Sequence, residues 1–394
     1  MKNNTASRLL IALMIIFMVF PKTDIPIFAG EGRTSDITGN TDDGSSTAQV
    51  LRGFTESSYI DKYGNTYLSI TSEEFFGAGY EYGDIVKVKI LGKKYRLPVV
   101  KNYTDVDSGK PALLAREEKP YIWLAVNMGS FASEYGLSDI SEPVKVSVWM
   151  KKKGGYADDY AVRQLTASYE RADYPDLTDE EFANFREVTT TGMGQGILYR
   201  TSSPIDPENK RNLYADKALK EAGVTVILNF ADTEEAVKEY EGFSDTYYYT
   251  VKRLESQLSV DYNSEEFEKK LAEGLRFMAE NPGVYALQCK TGKDRTGFAA
   301  AILECLMGAD YSEVIDDYML SYYNFYGVEE DDPTYAAIVS GNIEKTLKGA
   351  FTFSKKDPKK DLSTRNLAKC AVKYLKKIGL SSAEIKKLKK NLSY

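Results

Sequence analysis

The chain has 394 residues, with 51 Lys and Arg against 58 Asp and Glu, three Cys and no His. Its 43% hydrophobic and 28% charged content is that of globular domains, and the length suggests two or three of them. Without imidazole there is no Ser-His-Asp or Cys-His catalysis, no His-ligated zinc and no histidine base, which leaves Cys, carboxylates, Lys, Arg, Tyr and backbone groups. Cys289, Cys305 and Cys370 can form at most one bridge, which is no disulfide framework.

At the start of the chain, Lys2 and Arg8 precede an apolar run from Leu9 to Phe20. Pro21 closes it, and Ile27-Phe28-Ala29 supplies a small residue for cleavage. This reads as a signal peptide over residues 1–29, too short for a membrane span, with an uncleaved N-terminal anchor as the alternative. Residues 30–50, rich in Gly, Ser, Thr and Asp, read as a flexible linker. The protein is therefore expected to be secreted or extracytoplasmic.

Residues 51–155 hold short strand-like runs separated by Gly, Pro, Asn and Asp: Asn65 to Ile70, Asp84 to Leu91, Tyr95 to Val100, Tyr121 to Val126 and Val144 to Met150. That spacing predicts a small all-β barrel or sandwich. Lys151-Lys152-Lys153-Gly154-Gly155 makes a junction. In residues 156–394, helical patterns (Glu180 to Arg186, Tyr214 to Ala222, Ser264 to Glu280) alternate with apolar strands (Val224 to Phe230, Val284 to Leu287). Alternation of this kind predicts an α/β domain with a mainly parallel sheet flanked by helices. From Gly341 onward there are 15 Lys and Arg against 4 Asp and Glu, a net of +11 that leaves −18 for the rest. Leu367, Ala371, Tyr374 and Leu375, then Ile385, Leu388 and Leu392, fall at helical spacing with Lys mostly on the other face. The reading is an amphipathic helical hairpin, stopped at Gly379 and restarted by Ser381 with Glu384, whose basic side could also contact anionic surfaces; no nucleic acid is expected.

The chemistry centres on Cys289. An apolar strand feeds Cys289-Lys290-Thr291-Gly292-Lys293-Asp294-Arg295-Thr296-Gly297, and a helix runs on to Met307. A strand, an anion-cradling loop and a helix N-terminus make a phosphate site, because N–H groups and the helix dipole favour negative charge. The same field favours the thiolate of Cys289. Arg295 offers a planar fork that matches two phosphate oxygens, and Gly292 lets the backbone close around them. Lys290, Thr291, Lys293 and Asp294 complete the phosphate-binding set. Cys305, about three turns along the helix, reads as core.

This loop resembles the signature of cysteine-dependent tyrosine and dual-specificity phosphatases, in the bacterial branch whose loops are similar to those of lipid phosphatases. The resemblance runs from about Asp176 to the C-terminus and includes Ala183-Asn184-Phe185-Arg186, Leu198-Tyr199-Arg200-Thr201-Ser202-Ser203-Pro204 and Asp317-Tyr318-Met319-Leu320-Ser321-Tyr322. It implies a phosphoric monoester hydrolase in which Cys289 forms a phosphocysteine, Arg295 and the loop N–H groups hold the phosphoryl oxygens, and Thr296 assists departure of the thiolate, with no metal or cofactor. It also implies an Asp as general acid: Asp261 is the first choice, Asp294 the second and Asp232 the third. The residue before the nucleophile, usually His in the family, is Gln288, which can donate a hydrogen bond but carries no charge. The implied substrates are phosphorylated proteins, with phosphoinositides or inositol phosphates as the alternative suggested by Lys290 and Lys293; the alternative of another class is a catalytically weak phospho-ligand binding module. Within 51–155, the stretches 83–88, 98–106 and 124–130 resemble the C-terminal β-domain of S-adenosylmethionine hydroxide adenosyltransferases. That resemblance implies a fold but no chemistry, because the larger domain that completes the adenosyl site is absent here.

Overall fold

The computed structural model describes residues 49–351 and 361–393; the signal peptide and nearly all of the linker expected from the sequence lie outside the described residues. Seven strands close into a barrel in the order β1-β2-β6-β5-β4-β3-β7. They are β1 (Leu51–Ile60), β2 (Thr66–Thr71), β3 (Ile85–Ile90), β4 (Lys93–Val100), β5 (Pro111–Leu114), β6 (Tyr121–Val126) and β7 (Val144–Lys152). Alternation fixes the interior: Val86, Val88 and Ile90 of β3 are buried while Lys89 between them is exposed. Closure pairs every strand on both sides, so the barrel has no free edge. The barrel is not purely β, because short helices at Ser72–Gly77 and Phe131–Glu134 plug it with Phe75 and Phe131, both fully buried. After β7 the helix Ala157–Arg163 stays against the barrel: Tyr160 stacks on Tyr82 at 5.5 Å and Tyr156 donates to the Asp105 carbonyl at 2.9 Å.

A five-stranded sheet follows, in the order β11-β10-β12-β9-β8, from β8 (Arg186–Glu187), β9 (Leu198–Thr201), β10 (Val226–Asn229), β11 (Lys252–Glu255) and β12 (Tyr285–Gln288). All neighbours are parallel except β8, which runs antiparallel to β9. Buried strands of this kind read as unbroken apolar runs, and their alternation sorts residues between two helical layers. Leu228 and Leu287 face the helices Glu265–Glu280 and Asp294–Met307; Ile227 and Ala286 face the helix Asn212–Glu221. In register, Asn229, Gln288 and Thr201 stand side by side at the carboxyl ends of β10, β12 and β9, the edge where open parallel sheets place ligands.

The C-terminal hairpin forms as expected. Helices Leu367–Lys377 and Ser382–Asn391 bury Leu367, Ala371, Tyr374, Leu375, Ile385, Leu388 and Leu392. Gly379 sits at φ 100°, and Ser381 with Glu384 forms the capping box. Lys369, Lys373, Lys376, Lys386, Lys387 and Lys389 are exposed on the opposite side. Cys305 is fully buried against this hairpin, as expected, and burial pushes its thiol up. One helix is shorter than expected: it covers Asp179–Phe182 instead of continuing to Arg186, because Asn184 adopts φ 54° and turns the chain into β8.

Candidate active site

Loop 289–293 connects β12 to the helix Asp294–Met307, and donors outside the loop hold each of its carbonyls from Lys290 to Lys293. The Ser203 N–H bonds the Lys290 carbonyl at 3.3 Å, and Asn184 Nδ2 bonds that of Thr291 at 2.9 Å. Arg200 Nη2 bonds the carbonyls of Gly292 at 2.9 Å and Lys293 at 3.2 Å. In a trans peptide the carbonyl points opposite to the next N–H, and the described residues contain no cis peptide bond. The N–H groups of Thr291, Gly292, Lys293 and Asp294 are therefore turned away from β9. No side chain caps the helix that follows, so its first-turn donors are also left for a ligand. Gly292 lies at φ 68°, and a Cβ there would come within 2.3 Å of the Thr201 carbonyl oxygen, so only glycine closes the loop.

Cys289 is 2% exposed at the base of this loop and is a free thiol. Arg295 Nη1 is braced on the other side, donating to the carbonyls of Phe230 at 2.9 Å and Leu258 at 3.3 Å, which follow β10 and β11. Thr296 is fully buried and its hydroxyl has no partner among the described residues. Together these groups can hold a tetrahedral oxyanion against a sulfur atom, with N–H donors on one wall and a guanidinium on the other.

The two lysines of the loop are engaged by other groups. Lys290 pairs with Glu208. Lys293 Nζ lies 4.4 Å from the Tyr322 ring centroid, 3.2 Å from the Tyr326 hydroxyl and 3.8 Å from Asp294. Burial opposes the charge of Lys293, but Asp294 and the two tyrosines outweigh it and hold the ammonium above its ordinary pKa.

Gln288 is fully buried, and neither of its amide atoms finds a partner among the described residues. Its capacity to donate is unused there, and the loop carbonyls from Lys290 to Lys293 are held by Ser203, Asn184 and Arg200 instead. An unsatisfied buried amide costs about 1–3 kcal/mol.

The outer support was missed by sequence reasoning, although its motifs stood out. Asp317 receives Arg200 Nη1 on one oxygen and Arg186 Nε, at 2.8 Å, on the other. Burial works against the Asp317 charge, but the two guanidiniums hold its carboxyl down at about 2. Asn184 Oδ1 accepts from Arg186 at 2.7 Å and from Asn324 at 3.1 Å. Beside this cluster Glu304 is fully buried with both oxygens unpartnered among the described residues, and burial, then Asp317, push its carboxyl well above the ordinary range. The two acids act on stability with opposite signs. Asp317 stabilises the fold above its unfolded pKa of 3.8, and that contribution is lost as pH falls toward about 2. Below its unfolded pKa of 4.5 Glu304 is protonated in both states and adds no pH-dependent cost, but holding it protonated in the fold opposes folding increasingly as pH rises above that value. Glu304→Gln is therefore expected to gain stability relative to the parent from pH 5 to pH 8, read from melting temperatures across that range. A constant difference between the two proteins would mean that Glu304 is ionised in the fold.

A family model described as the tyrosine phosphatase family matches residues 178–394, more than half of the chain. The chain belongs to this family. A second model, the C-terminal domain of SAM hydroxide adenosyltransferases, matches residues 56–142, within the barrel. Among solved structures, an uncharacterized conserved protein from Thermotoga maritima is 18% identical over 28% of this chain and 42% of that one, with a TM-score of 0.23. The chain thus spans less than half the length of that structure. P. aeruginosa TpbA in complex with pTyr is 16% identical over 45% of this chain and 96% of that one, with a TM-score of 0.27. The catalytic core of the PP-IP phosphatase SIW14 from S. cerevisiae is 17% identical over 40% and 92%, with a TM-score of 0.25. No curated protein matches the chain.

Of the three candidate acids, Asp232 is nearly buried and already engaged, by Asn229 Nδ2 at 3.1 Å and the Tyr240 hydroxyl at 3.2 Å. Asp294 accepts from the Tyr318 hydroxyl at 3.2 Å. The Asp261 carboxylate is exposed and, among the described residues, accepts from the Asn263 N–H at 3.3 Å, within its own turn. That turn is three residues beyond Leu258, whose carbonyl braces Arg295. Its next residue, Tyr262, packs on Phe298 of the helix after the loop at 5.0 Å between ring centroids. Among the described residues no helix is long and apolar enough to cross a membrane.

Proposed function

We propose that the chain is an extracytoplasmic phosphomonoesterase that hydrolyses phosphotyrosine or related monoesters through a phosphocysteine intermediate. The observation that carries this reading is the loop itself: four successive N–H groups turned to one side, Cys289 at the base and Arg295 braced from the opposite wall. In the first step the Cys289 sulfur bonds phosphorus while the P–O ester bond breaks. The electron pair leaves on the ester oxygen, which takes a proton from Asp261. Water then attacks phosphorus with Asp261 as base, the P–S bond breaks, and Thr296 donates a hydrogen bond to the departing thiolate. The loop donors and Arg295 carry the charge of the transferring phosphoryl group in both steps. The basic, apolar N-terminus supports export of the enzyme.

Engagement of Lys290 by Glu208 and of Lys293 by Asp294 and two tyrosines supports a substrate with a single phosphate over a polyphosphorylated inositol. The test is phosphate release from phosphotyrosine peptides, aryl phosphates, phosphoinositides and inositol phosphates at equal concentration. Phosphopeptides and aryl phosphates are expected to be turned over fastest. Inositol substrates leading the panel would transfer the function to lipid or inositol phosphate chemistry, and no release from any substrate would leave a phospho-ligand binding module. With the aryl series, Asp261→Asn is expected to lose about 10²-fold on poor leaving groups and little on good ones. An equal loss on both would remove Asp261 from the acid role.

A further inference from the structure

Arg200, the penultimate residue of β9, is fully buried, yet it carries a charge and reaches no surface. A buried guanidinium is costly unless its donors are used, and here Nη1 and Nη2 are engaged while Nε has no partner among the described residues. In register it stands opposite Leu287, so it projects to the same side of the sheet as the helix Asp294–Met307. There Nη1 meets Asp317, while Nη2 spans the carbonyls of Gly292 and Lys293. The space is cut to its shape: a Cβ on Gly297, one turn into the helix, would stand 2.8 Å from Nη2 and 2.7 Å from the Tyr318 ring. Asp317 fixes the guanidinium in turn and is itself shared with Arg186, which also holds Asn184, the residue on the Thr291 carbonyl. One buried Arg-Asp-Arg cluster therefore sets three consecutive loop peptides, two through Arg200 and one through Asn184.

We propose that Arg200, locked by Asp317, is a positioning residue that turns the Lys293 and Asp294 N–H groups toward the transferring phosphoryl group and the Cys289 thiolate. It touches neither substrate nor sulfur and acts through the two peptide planes it clamps. Released from this clamp, those planes can rotate, and two of the four inward donors lose their aim. The inference rests on the reading that loop 289–295 is the phosphate site.

The decisive variant is Arg200→Lys, which keeps one positive charge near Asp317 but cannot reach Asp317 and both carbonyls in one plane. Three quantities are measured on the full chain: inhibition by inorganic phosphate, kcat and KM on an aryl phosphate, and the pH dependence of Cys289 alkylation by iodoacetamide. In the parent, alkylation with a midpoint below that of an ordinary thiol tests the site reading. In the variant, the midpoint is expected to rise by about one pH unit and phosphate to inhibit about tenfold more weakly, since thiolate and phosphate lean on the same N–H donors. The kcat is expected to fall more than KM rises, because charge on the phosphoryl oxygens peaks in the transition state. Asp317→Asn, which loosens Arg200 without removing it, is expected to move the same quantities in the same direction by less. A folded Arg200→Lys with parental alkylation midpoint and phosphate inhibition would overturn the proposal. So would failure of both variants to fold, which would make the cluster a purely structural one. A parent midpoint at the ordinary thiol value would instead strike at the site reading, so the two failures are distinguishable.

Discussion

Cys289→Ser is expected to lower phosphate release by at least about 10⁴-fold while binding of a phosphorylated ligand persists. The two effects separate because different atoms carry them. Binding draws on the Thr291 to Asp294 N–H groups and on Arg295, all fixed by residues other than Cys289: Ser203, Asn184, Arg200, Phe230 and Leu258. Covalent transfer needs a nucleophile that is anionic near neutral pH. A serine hydroxyl in the same place stays protonated, and with no His in the chain there is no imidazole to take its proton. The smaller oxygen fits the buried position, so the fold is expected to keep its melting temperature within a few degrees. The check is phosphate release from an aryl phosphate beside calorimetric titration with the same unhydrolysed ligand. Release that survives at more than about one hundredth of the parental rate would place the nucleophile elsewhere. Loss of both activity and binding would mean that the thiol also shapes the loop.

What the sequence made legible was local. The strand, loop and helix around Cys289 span contiguous residues, and Gly292 announces its turn because no other residue tolerates φ 68° with a carbonyl 2.3 Å from its Cβ position. The C-terminal hairpin was legible because its apolar residues keep a 3.6-residue period over both helices and its caps are explicit. Strands escaped where the alternation fails. β5 starts on Pro111, β11 is the four polar-leaning residues Lys252–Glu255, and the register of β1 shifts against β2 between Thr55 and Ile60. The helix expected to reach Arg186 was cut short by a tertiary demand, the turn at Asn184 that delivers its amide to the Thr291 carbonyl. The support of the site was hidden for the same reason. Arg186, Arg200 and Asp317 are ordinary charged residues in sequence, and only the packing of β8 and β9 against the helix Tyr311–Tyr326 brings them together and dries them. Gln288 shows the converse. Its place before Cys289 was legible, but the lack of a side-chain partner among the described residues depends on which neighbours had already claimed the loop.

Arg295→Lys is expected to reduce kcat by about 10³-fold with a much smaller rise in KM. In the parent, the guanidinium is held by the Phe230 and Leu258 carbonyls through Nη1, which leaves the remaining donors of the fork for two phosphoryl oxygens in one plane. Lys supplies the charge but not the plane, and its single ammonium cannot serve the carbonyls and two oxygens together. Ground-state phosphate is a tetrahedral dianion that the N–H donors already bind, so affinity survives much of the change. In the transition state the phosphoryl group flattens and its charge spreads over three equatorial oxygens, and that is where a planar, fixed donor pair gains most. Steady-state kinetics on an aryl phosphate, with a melting curve to verify the fold, separates the two contributions. If KM alone rose, by a factor comparable to the expected loss in kcat, Arg295 would serve substrate binding only. Catalysis would then fall to the N–H donors of Thr291 to Asp294 and to the cluster behind them.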